Sequence, residues 1–295
     1  MVTHSIPGWK TEMVEVAPKA YAYIQAEGAT GISNAGVIVG PDGAMAIDAL
    51  MVPSMARAFL AEIKRVTSVP VQHLVNTHHH GDHVYGNETI GACHIISHTY
   101  CRQEMERTGI PTEEAMAEIE RVMRTPWIRP QWRRELLQTK LALPTITFED
   151  RMVLHYGDTV IELLYLGVAH TYGDVVAYLP QHRLLFAGDL AFYYVTPLAL
   201  QGHVSGWIRV IDRINALDIE TIVPGHGPIG AKKELAQMRD YLALLRREAR
   251  RCYRQGMDVE EAARSIRVGR FDRWVNPERL APNVQRLYQE FRREI

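Results

Sequence analysis

Residues 72–86 read Gln-His-Leu-Val-Asn-Thr-His-His-His-Gly-Asp-His-Val-Tyr-Gly. A strand-like apolar run ends at Val75, and four candidate metal ligands follow in the pattern His78-x-His80-x-Asp82-His83. Imidazole and carboxylate ligands together suit zinc, iron or manganese. The alternative interpretation is a histidine-rich surface loop, and the ordered Asp-His pair after the glycine argues against it.

The spacing of these residues predicts two neighbouring metal positions. Side chains alternate between faces in extended backbone, so His78 and His80 point the same way and can hold one metal between them. His79 then points away. Gly81 permits a tight turn without steric cost, and that turn brings the Asp-His pair towards a second position.

The chain before this segment predicts a hairpin and a βαβ unit. Residues 35–40 and 44–48 are strand-like, and Pro41-Asp42-Gly43 between them is a strong turn signal. The second strand ends on a carboxylate, Asp48. Residues 52–66 have helical periodicity, and the strand Val71–Val75 follows the helix.

Residues 99–140 are charged and favour helix, and they predict two or three helices inserted between strands. Met123, Trp127 and Trp132 either face the site as a lid or pack the insert onto the core. Strands are expected again between residues 144 and 188. The later segments predict helices at 206–216, 231–254, 258–266 and 277–293, with a strand at 221–223.

Three downstream motifs add further candidate ligands. His170, Asp189 and His226 each follow an apolar, strand-like run and lie in glycine-containing sequence. Strand ends grouped at one edge of a sheet are a usual place for functional sites. These residues therefore predict one site shared with the histidine cluster.

Composition limits the classes of partner. The chain has 295 residues, enough for one large domain, and 33 Lys+Arg balance 34 Asp+Glu to give a formal net charge of -1. This balance predicts neither a nucleic-acid nor a membrane partner. A small-molecule substrate is expected instead, and the sequence leaves open whether the chain forms a homo-oligomer.

The expected compartment is the cytoplasm. Cys93, Cys101 and Cys252 form neither a disulfide framework nor a Cys-x-x-Cys motif. The first residues lack the basic and apolar regions of a signal peptide, and no apolar stretch reaches membrane-spanning length.

Taken together, the motifs resemble those of the metallo-β-lactamase superfamily over roughly residues 20–230. The resemblance implies an α/β fold, a four-layer αββα sandwich with a helical insert and a helical C-terminal tail. Residues 1–230 would form the catalytic domain, with the insert at about 99–140. Residues 231–295 would form a helical extension packed on the same domain.

The resemblance also implies the role of each site residue. His78, His80 and His170 would bind the first metal, whereas Asp82, His83 and His226 would bind the second. Asp189 would bridge both metals, and Asp48 would orient ligands through hydrogen bonds. Asp82 would also act catalytically by accepting a proton. Tyr193, Tyr194, His203 and Trp207, which follow Asp189, are the candidates for the substrate pocket.

The implied function is that of a dinuclear zinc hydrolase, with iron or manganese as alternative metals. A metal-bridging hydroxide would cleave an ester, lactone, thioester or amide bond of a small molecule. The His78–His83 stretch is similar to that of glyoxalase II and of lactonases, whereas Asp189 argues against a true β-lactamase. The alternative is a mononuclear iron persulfide dioxygenase of the same superfamily. A silent binding module would be expected to lose ligands, and none is lost.

Overall fold

Seven strands form the first sheet, in the order in which they occur along the chain. The computed structural model describes residues 6, 9–26, 31–123 and 128–293. The strands are β1 (Glu12–Ala17), β2 (Ala20–Ile24), β3 (Ala35–Val39), β4 (Ala44–Ile47), β5 (Val71–Val75), β6 (His94–His98) and β7 (Ile146–Phe148). The sheet is antiparallel from β1 to β4 and parallel from β4 to β7.

Five strands form the second sheet, in the spatial order β12-β11-β10-β9-β8. They are β8 (Arg151–Tyr156), β9 (Thr159–Tyr165), β10 (Val175–Leu179), β11 (Leu184–Phe192) and β12 (Thr221–His226). Only the pairing of β11 with β12 is parallel within this sheet.

Helices cover the outer faces of both sheets. They are α1 (Pro53–Val66), α2 (Gly81–Val84), α3 (Asn87–Ile90), α4 (Thr99–Thr108), α5 (Glu113–Met123), α6 (Pro130–Leu137), α7 (Val204–Ala216), α8 (Lys232–Arg254), α9 (Val259–Ser265) and α10 (Leu280–Arg293). In the part of the chain that the structure describes, none of these helices combines the length and apolarity that crossing a membrane requires.

Three apolar clusters separate these layers. Between the sheets, Ile38 and Val75 of the first sheet pack with Leu163 and Phe186 of the second. A second cluster joins the outer face of the first sheet to α1, and a third joins the outer face of the second sheet to α7, α8, α9 and α10. The predicted αββα sandwich and its helical tail are therefore confirmed.

The hairpin and the first helix form where the sequence predicts them. Gly40 N donates to Gly43 O at 2.9 Å, which closes the turn between β3 and β4. Helix α1 begins at a proline, whose missing N–H costs nothing in the first turn. Met55, Phe59 and Ile63 form its buried face because residues four apart lie on one side of a helix.

The insert consists of α4, α5 and α6. Met116 and Leu136 are buried in the cluster beside α1, and Trp132 packs against the same cluster. Glu135 of α6 accepts a hydrogen bond from Ser54 N at 2.8 Å, at the start of α1. These contacts fix part of the insert to the first sheet's helical layer. Trp127 lies outside the described residues, and the lid remains a prediction.

Candidate metal centre

The first four candidate ligands lie directly after β5. His78 and His80 are in the loop that leaves the strand, and Asp82 and His83 are on the one-turn helix α2. The turn expected at Gly81 is thus helical. Gly81 is needed for a different reason from the one predicted, because an added Cβ would lie 2.1 Å from the ring of Tyr85.

The other three candidate ligands come from the second sheet. His170 lies in the loop between β9 and β10, whereas Asp189 and His226 lie within β11 and β12. The sequence predicted that β11 would end before Asp189. The strand continues instead through a register shift at Gly188, whose φ is +49°. At Gly225, an added Cβ would lie 2.0 Å from Asp189 Oδ1, so only glycine permits this approach of β12.

His78, His80, His170 and Asp189 form the first ligand group, with one candidate ligand atom from each residue lying within 4.8 Å of the others. His170 Nε2 is 2.9 Å from His80 Nδ1 and 3.2 Å from Asp189 Oδ2. His78 Nε2 is 3.8 Å from the same carboxylate oxygen.

Asp82, His83 and His226 form the second group. Asp82 Oδ2 lies 3.4 Å from His226 Nε2 and 3.9 Å from His83 Nε2. Asp189 reaches this group as well, because its Oδ1 is 3.1 Å from His83 Nε2 and its Oδ2 is 3.3 Å from His226 Nε2. One carboxylate therefore contacts both groups.

Three of the histidines are anchored through the ring nitrogen that points away from the site. His83 Nδ1 lies 2.8 Å from Asp48 Oδ2, and His226 Nδ1 lies 2.9 Å from Ile32 O. His78 Nδ1 is 3.1 Å from the hydroxyl of Thr77. An acceptor on Nδ1 fixes the tautomer in which Nε2 keeps its lone pair. The anchors therefore prepare the inner nitrogens to bind a cation.

Asp48 is positioned by the backbone as well as by His83. It follows β4 and has a φ of +60°, a conformation that Asp and Asn adopt more readily than most residues. Its Oδ1 accepts from Thr77 N at 2.8 Å, and its Oδ2 accepts from the Thr77 hydroxyl at 2.8 Å. It is not part of either ligand group.

The donor set fits one or two metal cations. His78 Nε2, His83 Nε2 and Asp189 Oδ1 are buried atoms without a hydrogen-bond partner, although buried polar atoms normally have one. They point inwards at the two groups. Nitrogen and carboxylate ligands in this number suit zinc, iron or manganese.

The electrostatics of the cluster are dominated by burial and by the carboxylates. Burial and neighbouring histidines lower the pKa of His78 and of His80 well below the usual value. Burial also opposes a charge on His83, but Asp189, Asp48 and Asp82 together raise its pKa well above the usual value, so a cation that binds Nε2 would displace a proton from it. Burial would raise the pKa of Asp189, yet the adjacent histidines hold it well below its usual range. The cluster thus keeps Asp189 ionised.

Asn34 and Ser33 support the site and were missed in the sequence. Asn34 Nδ2 donates to Pro224 O at 2.9 Å and to Gly227 O at 2.8 Å, which joins the first sheet to the His226 segment. The hydroxyl of Ser33 donates to Asp82 O. The only signal for them was a pair of small polar residues directly before the apolar strand β3.

Asp174 shapes the loop that carries His170. Its two carboxylate oxygens accept from the backbone N–H and the hydroxyl of Thr171, both at 2.7 Å. The sequence could not separate a backbone role from direct support of His170, and the structure shows the backbone role.

Two of the four candidate pocket residues are fully buried. Trp207 has no exposed surface, packs its ring 5.0 Å from the His170 ring and donates its indole N–H to Leu190 O. Tyr193 is 1% exposed and directs its hydroxyl to Ala231 O at 3.3 Å. These side chains pack behind the site and do not line an open pocket in this structure.

The other two candidates are partly exposed. Tyr194 has a φ of +61°, and its hydroxyl donates to Glu234 Oε1 at 3.4 Å. His203 caps α7, because its Nδ1 accepts from Gly206 N at 3.1 Å. Their assignment to a substrate pocket remains a prediction.

The chain resembles one large family of known proteins. A model of the metallo-beta-lactamase superfamily matches residues 28–226, which include all seven candidate ligands and Asp48.

Among curated relatives, a linear primary-alkylsulfatase of Pseudomonas sp. is 21% identical over 79% of this chain and 49% of its own length. A human acyl-coenzyme A thioesterase, MBLAC2, is 22% identical over 57% of this chain and 61% of its own. The alpha subunit of a 2,4-dinitroanisole O-demethylase from Nocardioides sp. is 26% identical over 66% of this chain and 53% of its own. The chain thus spans about half to three fifths of these relatives.

Solved structures show the same fold. The sec-alkylsulfatase Pisa1 from Pseudomonas sp. superposes with a TM-score of 0.72 at 20% identity, over 95% of this chain and 50% of its own. A metallo-beta-lactamase from Pontibacter korlensis superposes with a TM-score of 0.63 at 20% identity, over 79% of this chain and 99% of its own.

Proposed function

The chain belongs to the metallo-beta-lactamase superfamily, and we propose that it is a metal-dependent hydrolase with a dinuclear centre. The observation that carries the proposal is the position of Asp189, whose two oxygens contact both ligand groups. The first metal would be held by His78, His80 and His170, and the second by Asp82, His83 and His226. Zinc is the metal we expect.

The proposed substrate is a small molecule with an ester, lactone, thioester or amide bond. Support for hydrolysis comes from relatives named as an alkylsulfatase and an acyl-coenzyme A thioesterase. The alkylsulfatase adds sulfate esters to the bonds that merit testing.

The chemistry of the proposed reaction divides between the metals and the chain. A pair of divalent cations, when bound, supplies Lewis acidity and makes water nucleophilic near neutral pH. The chain fixes the direction of the histidine lone pairs through Asp48, Thr77 and Ile32 O. This preorganisation removes the need to reorient ligands during turnover.

Asp82 is the candidate for proton transfer. Its side chain is 16% exposed, whereas that of Asp189 is 4% exposed and lies deeper between the two groups. Asp82 is therefore the carboxylate of the ligand set that a substrate can reach. It would bind metal and also accept a proton at its free oxygen, in keeping with general-base catalysis by a positioned carboxylate.

The first experiment is the metal content of the purified protein, measured by elemental mass spectrometry without added metal. We expect about two zinc ions per chain in the wild-type protein. Asp189→Ala should lose both metal retention and turnover, because it removes the ligand shared by the two groups. Asp158→Ala, in the exposed turn between β8 and β9, is the matched control.

The outcome also separates the hydrolase from the dioxygenase. About one iron per chain, with oxygen uptake on persulfides, would replace the proposal with the mononuclear alternative. Full metal content and full activity in Asp189→Ala would contradict the bridging role. If the wild-type protein contains two zinc ions, its substrate class is determined by assaying alkyl sulfates, acyl thioesters, lactones and amides.

A further inference from the structure

Residues 193–203 connect the strand of Asp189 to α7 with little regular secondary structure, and most of them are buried. Buried backbone N–H and C=O groups need hydrogen-bond partners, and this segment cannot obtain them from a helix or a sheet ladder of its own. The C-terminal segment supplies several of them.

The pairing between the two segments begins at an isolated parallel bridge. Val195 pairs with Val275. Val275 N donates to Tyr194 O at 2.9 Å, and Thr196 N donates to Val275 O at 2.8 Å. From this bridge the two segments run alongside each other in the same direction.

Four side chains continue the pairing along the buried face of α10 and the turn before it. Arg279 Nη1 donates to Thr196 O at 3.0 Å. Asn283 donates to Pro197 O at 2.8 Å and accepts from Ala199 N at 2.7 Å. Arg286 donates to Gly202 O, and Glu290 accepts from Val204 N at 2.7 Å. We call Arg279, Asn283, Arg286 and Glu290 the polar ladder.

The polar ladder conflicts with the usual design of an amphipathic helix. Its members are spaced four, three and four residues apart, which is the spacing of an apolar core stripe. All four are buried, with exposures between 1% and 9%, and Arg279 Nε and Arg286 Nε have no hydrogen-bond partner. Burying charged groups is costly even when they are paired, as Arg286 Nε is with Glu290 Oε1 at 3.9 Å. Such local conflicts are expected where a function requires them.

The far end of the paired segment touches the loop of His170. His203 N donates to Ala169 O at 2.8 Å. A Cβ added to Gly202 would lie 2.1 Å from Ala169 O and 2.6 Å from His170 O. Beyond it, the Trp207 ring packs 5.0 Å from the His170 ring. Residues 202–207 thus form one wall against which the His170 loop rests.

We propose that the polar ladder positions His170 through this wall, so that Arg286 and Glu290 are positioning residues of the metal centre. Its importance for catalysis rests on the proposed function, whereas its effect on the His170 loop does not. The C-terminal extension is then a working part of the site. It determines how firmly one ligand of the first group is held.

The test compares variants of α10 in the full-length protein. Glu290→Met removes the acceptor for Val204 N, and Glu290→Gln retains an acceptor of the same shape. Leu287→Ala is the control for general damage, because Leu287 is fully buried on α10 but belongs to the apolar cluster and not to the polar ladder. Two quantities are measured: amide hydrogen exchange in the metal-free protein, and loss of metal from the loaded protein to a chelator.

Glu290→Met should exchange roughly five- to tenfold faster at residues 196–206 and also at 167–172, because a buried hydrogen bond is lost. Its metal should be lost roughly 10–100-fold faster, as is typical when the support of a ligand is removed. Glu290→Gln keeps the acceptor for Val204 N and loses only the charge that lies 3.9 Å from Arg286 Nε, so it should exchange and lose metal more slowly than Glu290→Met. Leu287→Ala should unfold at a lower temperature without a local change at 167–172.

Faster exchange confined to 196–206, with metal loss no faster than in Leu287→Ala, would overturn the proposal. If Glu290→Met does not fold, Arg286→Met replaces it, since this change removes the donor to Gly202 O and keeps the aliphatic stem. The same two results then decide the proposal. Absence of hydrolytic activity in the wild-type protein would refute the proposed function but would leave both readouts valid.

Discussion

Asp48 Oδ2 lies 2.8 Å from His83 Nδ1, and the same carboxylate also accepts two hydrogen bonds from Thr77. Asp48 thereby connects the end of β4 to the start of the ligand segment. It is 2% exposed, and burial in this setting strengthens the pull of its charge on the imidazole. Because it belongs to neither ligand group, we expect Asp48 to orient His83 and not to bind metal.

Asp48→Asn should test that role without disturbing the backbone. Asparagine tolerates the same positive φ, so the substitution removes the charge and leaves the local conformation. We expect metal affinity and kcat/KM to fall by roughly 10–100-fold. Asp42→Asn, in the exposed β3–β4 turn, is the control. Wild-type values for Asp48→Asn would show that the charge of Asp48 is not needed to orient His83.

Gly202→Ala should displace the loop of His170. The glycine has a φ of +63°, and its Cβ position collides with the carbonyl oxygens of Ala169 and His170. We expect a destabilisation of about 2–4 kcal/mol, with metal loss at lower denaturant concentration than unfolding. The matched control is Gly109→Ala, which has the same φ of +63° and no atom within 4 Å of the added Cβ.

The control should cost only about 1 kcal/mol, the strain of the backbone conformation alone. Equal effects of the two substitutions on the free energy of unfolding would show that the backbone at residues 169 and 170 can shift to accommodate the added Cβ. Denaturant titrations of both variants, followed by fluorescence and by metal release, give the comparison.

His79 should make the metal-free protein less stable in acid. Burial lowers its pKa to about 4, whereas a histidine in an unfolded chain titrates near 6.5. Between these values the unfolded chain binds more protons than the folded one. Its contribution to stability is therefore complete above about pH 6.5 and is lost as the pH falls to about 4, by at most about 3 kcal/mol.

The measurement is the unfolding free energy of the chelator-treated protein between pH 4.5 and pH 7.5, for the wild type and for His79→Leu. The variant should show a smaller loss in acid, although His78 and His80 act in the same direction. His155→Leu, on the exposed side of β8, is the control for replacing a histidine by leucine. An unchanged slope in His79→Leu would contradict the assignment.

Trp132→Ala should affect stability more than catalysis. Trp132 packs against the cluster beside α1 and lies 4.6 Å from the guanidinium of Arg129. Because the side chain is only partly buried, we expect a loss of about 1–3 kcal/mol with an unchanged KM. A changed KM with an unchanged unfolding midpoint would instead make the insert a lid over the site.

Much of the fold could be predicted from the sequence because the local sequence patterns agree with the strands and helices that form. The hairpin turn, the face of α1 and the short strand β5 follow from periodicity and turn chemistry that no distant contact overrides. The boundary of β11 did not follow. Its continuation to Phe192 depends on pairing with β12 across a register shift at Gly188, and that pairing joins residues far apart in the chain.

The candidate ligands could be proposed from spacing because metal chemistry restricts both residue type and position. Supporting residues carry no such restriction. The supporting role of Asn34 follows only from the structure, in which its amide donates to the backbone on either side of His226. Trp207 was proposed as a pocket residue because it follows Asp189 closely in sequence. In the structure it packs behind His170, because α7 folds back onto the His170 loop.

The two ligand groups draw residues from both sheets, and this division has a thermodynamic consequence. A cation bound by both His78 and Asp189 would connect the two halves of the sandwich, which otherwise meet mainly through apolar contacts. Any ion that binds the folded chain and not the unfolded chain raises the free energy of unfolding in proportion to the logarithm of its concentration. When metal is scarce, a larger fraction of the chains would be unfolded and open to proteolysis. The amount of the protein would therefore follow the metal supply.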